Sequence, residues 1–441
     1  MNSRRNFIKG VGATAGLSLS AASLNLGAAA SNKTLKAALF GVRSRGKALA
    51  QGIFNCKNIE LIYNCDVDDD IIKEHNEWCQ KSFGMVPKVE KDFRKILADK
   101  EVDVVFIATP EHWHTPMAIL AMKAGKHVYV EKPCSHNPHE NQLIVAAQKK
   151  YKKLVQMGNQ QRSAVTSMEG VKVIQQGIIG EAYSGKAWYS NSRDTIGNGK
   201  EIAVPASLDW DLWQGPAPRE PYRDNIHPYN WHWFTTWGTG EIHNNGTHEL
   251  DICRWALGVD SPTRVTSTGG RHHYKTDDWQ FSDTQVVNYE FDKGQHIRWE
   301  GYSCNGLAQF DRGRGALIQG TKGSAMLTRD GSVFYDLKGK VIREESESDK
   351  ASATATADTV GFDGLTVSHI QNLTNAILNG EKLKSPIDDA SKSTMMCHYG
   401  NIAQQVGRGI VIDPKTGYIV DDKEAMAYWR REYEPGWEPT V

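Results

Sequence analysis

Leu35-Lys36-Ala37-Ala38-Leu39-Phe40-Gly41-Val42-Arg43-Ser44-Arg45-Gly46, with Asp66 twenty residues beyond Gly46, is the stretch on which the fold turns. An apolar run with strand character enters a glycine-bracketed turn, and a helical pattern begins at once. Glycines at 41 and 46 let the turn tighten and bring the N-terminus of the helix close to a ligand. Free backbone N–H groups and the helix dipole there favour a pyrophosphate. A carboxylate at the end of the second strand accepts hydrogen bonds from both hydroxyls of a ribose and repels a 2′-phosphate, which predicts NAD rather than NADP. The middle glycine of the usual fingerprint is Arg43. Its guanidinium is expected beside the phosphates, with Ser44 and Arg45 completing the loop.

Outward from this turn, further short apolar runs lie at 59–63, 102–108, 127–130 and 154–157, separated by segments of helical period such as 70–81 and 93–100. Apolar strands joined by single helices imply a parallel sheet covered on both faces. This predicts a doubly wound α/β Rossmann domain over residues 32–158. From 159 to 441 the pattern changes to an α+β domain. Helices are expected at 164–176 and 247–257, and consecutive strands at 182–189, 263–268, 284–291, 296–301, 316–320 and 325–328 form a large, mainly antiparallel, open sheet. Two closing helices are read at 365–379 and 388–407. The polar segment 343–358 lacks apolar periodicity and reads as a mobile loop.

At 441 residues the chain exceeds what one core usually supports, in keeping with two domains. Lysine plus arginine equals aspartate plus glutamate at 52 each, without a long run of one sign, so nucleic-acid and polybasic membrane binding are not expected. The partner predicted is a small molecule. Residues 1–30 differ in kind. Arg4-Arg5-Asn6-Phe7-Ile8, a short Gly/Ala/Ser/Leu stretch and Ala28-Ala29-Ala30 resemble a twin-arginine export signal, implying cleavage after Ala30, an extracytoplasmic (periplasmic) location and no stable membrane insertion. Seven cysteines without a CxxC pair form neither a disulfide framework nor a zinc pattern. A twin-arginine substrate folds before export, so it can leave with its cofactor bound.

Two motifs follow Rossmann strands, Ala108-Thr109-Pro110-Glu111-His112-Trp113-His114 and Glu131-Lys132-Pro133. At the carboxyl ends of parallel strands, Thr109, Pro110, His114, Glu131 and Lys132 fall where a dinucleotide binds. With Gly238-Thr239-Gly240-Glu241-Ile242-His243-Asn244-Asn245-Gly246-Thr247-His248 downstream, the chain resembles the glucose-fructose oxidoreductase, inositol dehydrogenase and rhizopine catabolism (Gfo/Idh/MocA) family across both domains. The resemblance implies that Lys132 is the catalytic lysine, contacting substrate and the nicotinamide ribose. It also implies that Pro133 follows a cis bond and that His248 is an acid/base or substrate ligand. The family's usual aspartate four residues before this histidine is Asn244, which cannot take a proton, and the adjacent His243 is a candidate replacement.

Five tryptophans, at 210, 213, 231, 233 and 237, crowd one Trp/Pro/Gly-rich stretch. Indole faces stack on the C–H faces of sugars, so one or two of these, Trp231 above all, are expected at substrate beside His232, and the others in the core. Without HExxH or Cys/His spacing, no metal site is assigned. The resemblance implies hydride transfer from a ring carbinol of a sugar or glycoside to nicotinamide, with Lys132 or His248 removing the hydroxyl proton. Two alternatives stay open. One is a redox-assisted glycoside hydrolase or lyase that recycles tightly held NAD, and the other a non-catalytic sugar-binding protein with a vestigial Rossmann domain. Family habit also implies a homo-oligomer.

Overall fold

The run Leu35–Phe40 (β1) is almost wholly buried because it lies at the centre of a parallel sheet, with neighbours on both sides and helices on both faces. In the computed structural model, which describes residues 33–346 and 363–441, β1 is joined by Ile59–Cys65 (β2), Lys88–Val89 (β3), Val104–Ile107 (β4), His127–Val130 (β5) and Val155–Met157 (β6). The order is β3-β2-β1-β4-β5-β6, with every pairing parallel. Strand order reverses between β1 and β4, so a crevice opens beyond the carboxyl ends of these two strands. Side chains cap most of the flanking helices. Asp68 accepts from the Asp70 N–H, Asp92 from that of Arg94, and Asn137 from that of Glu140.

The second sheet contains Ala182–Ser190 (β7), Arg264–Gly270 (β8), Thr284–Glu290 (β9), His296–Tyr302 (β10), Arg314–Gly320 (β11), Gly323–Leu327 (β12), Gly331–Asp336 (β13), Val341–Ser346 (β14) and Ile410–Val411 (β15). Its order is β14-β13-β12-β11-β7-β10-β9-β8-β15, antiparallel throughout except where β7 meets β10. Helices Val165–Gln175, Thr247–Leu257 and Ile387–Val406 pack on it, sharing a core with Trp299, Tyr289 and Tyr399.

The expected loop at 343–358 needs correction. Residues 343–346 belong to β14, which pairs with β13. A strand at a sheet edge needs no apolar face, and the alternation of exposed and half-buried residues in β14 carries no hydrophobic signal. The remainder of that segment, and the expected export signal at 1–30, lie outside the described residues. Late parts of the chain return to the first domain. Ile370 and Leu373 of helix Gly364–Asn379 enter the core around β1, and the C-terminal Trp437 packs edge-on against Trp113.

Candidate active site

Gly41 has φ +81°, and a Cβ there would come within 2.6 Å of the Ala108 carbonyl oxygen. Any side chain at Gly46 would run into the Gly41 carbonyl. These two contacts hold the turn so tight that only glycine fits. The helix that follows, Ser44–Phe54, starts without a side-chain cap, unlike helices Asp69–Phe83, Phe93–Ala98 and Pro138–Tyr151, so its first-turn N–H groups remain available to an anion. Asp66 is aimed by the backbone. One carboxylate oxygen accepts from the Val42 N–H at 2.9 Å, the other from Val67 at 2.8 Å and Asp68 at 3.4 Å. Burial raises its pKa, and those three donors oppose the rise. The cradle, the uncapped helix and the oriented carboxylate together fit a dinucleotide. Arg43 is exposed and lines the same cleft.

Arg45 and His114 line the cleft with their polar atoms already engaged. Arg45 donates to Glu131 at 2.7 Å and Thr366 at 3.0 Å, and lies 3.7 Å from Asp363. His114 sets one ring nitrogen 2.6 Å from the Pro133 carbonyl and the other 2.8 Å from that of Thr109. Burial lowers its pKa against the pull of both carbonyls. It thereby ties the end of β4 to the cis peptide Lys132–Pro133. Glu131 also accepts from Gln160 at 3.0 Å and from Tyr129 at 3.3 Å. Gly158 leaves room for this carboxylate, which a Cβ would approach to 2.7 Å.

Across the cleft, Ile242–Gly246 forms a single π-helical turn ahead of helix Thr247–Leu257. Such turns commonly mark functional sites, because they re-aim side chains within a helix. Asn244 faces the first domain, and Lys132 Nζ donates to its main-chain carbonyl and, at 3.3 Å, to its side-chain Oδ1. Burial pushes the Lys132 pKa down to about 8, with Arg314 and Arg45 adding to the fall while Glu131 and Glu111 oppose it. A neutral amine has two N–H bonds and one lone pair. With both donors directed to Asn244, the lone pair is left for the cleft.

His248 lines the cleft with a buried Nδ1 that has no hydrogen-bond partner. Burial, with Arg329 and Lys132 nearby, holds the ring well below the usual histidine range and hence neutral. His232 donates through Nδ1 to the Tyr229 carbonyl at 2.6 Å and stacks on Trp231 at 3.6 Å, presenting a neutral ring whose pKa burial pushes down to about 3. Trp213 and Trp231 line the cleft, while Trp210, Trp233 and Trp237 do not. Trp210 stacks on Trp213 at 4.6 Å and Trp237 packs edge-on against both, backing the lining indole, while Trp233 stacks on Trp279 at 4.0 Å.

His243 does not reach the cleft. The π-turn sends consecutive side chains in different directions, so His243 is fully buried against His398, 4.4 Å between ring centres, while Asn244 faces Lys132. It is therefore not placed to touch substrate or replace the missing carboxylate. Among the described residues no group of three or more His, Cys, Asp or Glu is disposed to hold a metal.

Glu111 and Arg329 are among the cleft residues that the sequence does not assign. Glu111 accepts from the Thr239 hydroxyl, and burial pushes its pKa up to about 7. It stands within the motif at 108–114, and a carboxylate one residue past a strand-end proline was the available signal. Arg329, in the turn after β12, lines the cleft with a buried Nε lacking a partner. No local pattern marks it, because the long-range pairing of the second sheet brings it there.

The Gfo/Idh/MocA family model, described as an oxidoreductase family with an NAD-binding Rossmann fold, matches residues 37–159, and its C-terminal alpha/beta domain matches residues 170–438. An alpha-N-acetylgalactosaminidase from Shewanella oneidensis is 29% identical over 209 residues, which is 42% of this chain and 45% of that protein. The match thus spans less than half the length of that relative. An oxidoreductase from Agrobacterium radiobacter, solved with NAD+, L-tartaric acid and magnesium, has the same fold at TM-score 0.64 and 17% identity, covering 87% of this chain and 99% of its own. Myo-inositol 2-dehydrogenase from Lactobacillus plantarum does so at TM-score 0.63 and 18% identity, covering 86% and 100%. With models for both domains matched in order along it, the chain belongs to the Gfo/Idh/MocA oxidoreductase family, and residues 37–159 are that family's NAD-binding Rossmann domain.

Proposed function

We propose that this chain is an NAD-dependent oxidoreductase that oxidises a ring carbinol of a sugar or glycoside. The observation that carries the reading is the Lys132 amine, tuned to about 8 and held by Asn244 between the nucleotide cradle and a wall of Trp213, Trp231, His232 and His248. Gly41, the open N–H groups at Ser44 and Asp66 would hold NAD, which when bound supplies two-electron redox chemistry at a substrate carbon. Lys132 takes the hydroxyl proton on its lone pair, since an amine with a pKa near working pH serves well as a general base. Neutral His248 and His232 bind hydroxyls and orient the ring, and the indoles cover its C–H face. In the test, pure protein with NAD and a sugar panel yields ketosugar with growing absorbance in the reduced-nicotinamide band. Neither signal with any sugar means the reading fails.

A second reading, redox-neutral cleavage of a glycoside with retained NAD, is favoured by Glu111, a buried carboxyl poised at about 7 that adds a second proton donor to the cleft. The 29% identical alpha-N-acetylgalactosaminidase also favours it. Aglycone release without net reduced cofactor, lost when the protein is stripped of NAD, separates the two readings. Export through the twin-arginine pathway belongs to the same proposal and rests on Arg4-Arg5 and Ala28-Ala29-Ala30. A mature N-terminus at Ser31 in an extracytoplasmic fraction would support it. A homo-oligomer built on the second sheet is proposed from family habit, to be tested by light scattering.

A further inference from the structure

The buried and half-buried arginines around the domain junction are neutralised by carboxylates. Arg45 pairs with Glu131, Arg162 with Asp251, Arg193 with Glu241 and Arg254 with Asp389. Arg314 grips Glu249 through two bonds of 2.7 and 3.0 Å. Arg329 departs from this rule. It forms the wall shared by the cleft and an adjoining cavity lined by Arg312 and Arg314. Its Nε is buried without a partner, and among the described residues no carboxylate lies within ion-pair distance of it. Of the two carboxylates whose charge reaches it, Glu249 is already held by Arg314, and Asp363 lies 3.7 Å from Arg45.

Arg329 is half-buried, and a guanidinium whose Nε is shut off from water without an anion carries a cost that this fold avoids at its other buried and half-buried arginines. The cost is recovered if a ligand supplies the anion, because the planar fork of arginine matches two oxygens of a carboxylate or sulfate. Arg329 lines the cleft from the second domain, beside His248 and within electrostatic reach of Arg45 and Asp363. We infer that Arg329 is a specificity residue that binds an oxyanion on the sugar, so that the substrates are uronates or sulfated sugars rather than neutral ones. This deepens the proposed oxidoreductase function and rests on it.

The test uses the NAD-loaded protein, with the methyl glycosides of glucuronic and galacturonic acid and galactose 6-sulfate set against methyl glucoside and methyl galactoside. Calorimetry should show at least one anionic probe bound about 10- to 100-fold tighter than its neutral counterpart, the range of a charge-assisted hydrogen-bonded pair. Arg329→Gln should abolish that margin, Arg329→Lys should restore part of it, and retained NAD should be unchanged in both. Neutral sugars bound as well as anionic ones would overturn the inference and leave the oxidoreductase reading intact. Loss of NAD from Arg329→Gln, with sugar preference unmoved, would assign the anion to the cofactor phosphates and likewise overturn it. If no sugar of either kind binds or reacts, both fall together. Should Arg329→Gln misfold, the wild-type preference and the Arg329→Lys variant still decide the matter.

Discussion

The two walls of the cleft are built on opposite plans. On the Rossmann side the polar groups are already satisfied. Asp66 is held by three backbone N–H groups and Arg45 by Glu131 and Thr366, while His114 donates to one of the two carbonyls that flank its ring. On the second-domain side, buried atoms are left without partners, among them His248 Nδ1, Asn244 Nδ2 and Arg329 Nε. Unsatisfied buried polar atoms are rare in native proteins and costly, so their concentration on one wall marks where a hydroxyl-rich ligand completes the structure. The nucleotide wall is rigid before its ligand arrives, whereas the substrate wall is finished by it.

Lys132 bridges the two walls, and its replacement tests the comparison most severely. Lys132→Met keeps the stem and removes the amine, so turnover should fall by about 10²–10⁴-fold, the usual worth of a positioned proton acceptor. Because the cradle does not depend on Nζ, mass spectrometry of the folded variant should still find NAD. Activity unchanged with NAD retained would instead remove Lys132 as the proton acceptor. Next in size is Asp66→Asn, which keeps the shape and discards the charge. It should weaken NAD by about 10- to 100-fold in direct binding and narrow the margin over NADP, while anionic-sugar preference stays put. An equal loss on both walls would show that they are not independent.

The proton chemistry offers a finer test. Lys132 accepts a proton only when neutral, so the rate should rise with pH through about 8. Asn244→Asp places an anion within hydrogen-bond reach of Nζ, which favours the ammonium and raises its pKa. The rising limb should move to higher pH by about one unit, and the rate near neutrality should drop roughly tenfold, recovering in alkaline buffer. A pH profile that does not move would remove Lys132 as the titrating base. The amide, which departs from the family pattern, is on this view what allows the lysine to work near neutrality.

The Rossmann wall was largely legible in the sequence and the substrate wall was not, for a physical reason. Gly41, Asp66 and the strand 35–40 act through local geometry, in which short-range pattern is the cause of structure. Helix Thr247–Leu257 is equally local, starting at a threonine and ending at Gly258 in the left-handed region. Glu111 owes its proton affinity to burial beneath elements far along the chain, against an opposing hydrogen bond from Thr239, 128 residues away, and Arg329 its isolation to Glu249 having chosen Arg314. His243 and Asn244 are adjacent in sequence, yet a π-turn that no composition announces sends only one into the cleft. Edge strand β14 was equally opaque, since its pairing with β13 needs no apolar pattern.

Arg43 is the smallest and sharpest test of the division between the walls. It occupies the place of the middle glycine, at the N-terminus of helix Ser44–Phe54, and its side chain is exposed. An exposed guanidinium near a phosphate is screened by water and salt, so its contribution should be under about 1 kcal/mol. Arg43→Gly should therefore weaken NAD by only about two- to five-fold, less at high ionic strength, without touching kcat at saturating cofactor. A larger effect that persists in high salt would mean that the nucleotide wall, like its counterpart, is completed by its ligand. No effect at all would leave the phosphates to the open helix N-terminus alone, and the arginine would then stand at the fingerprint position only because its extended backbone needs no glycine there.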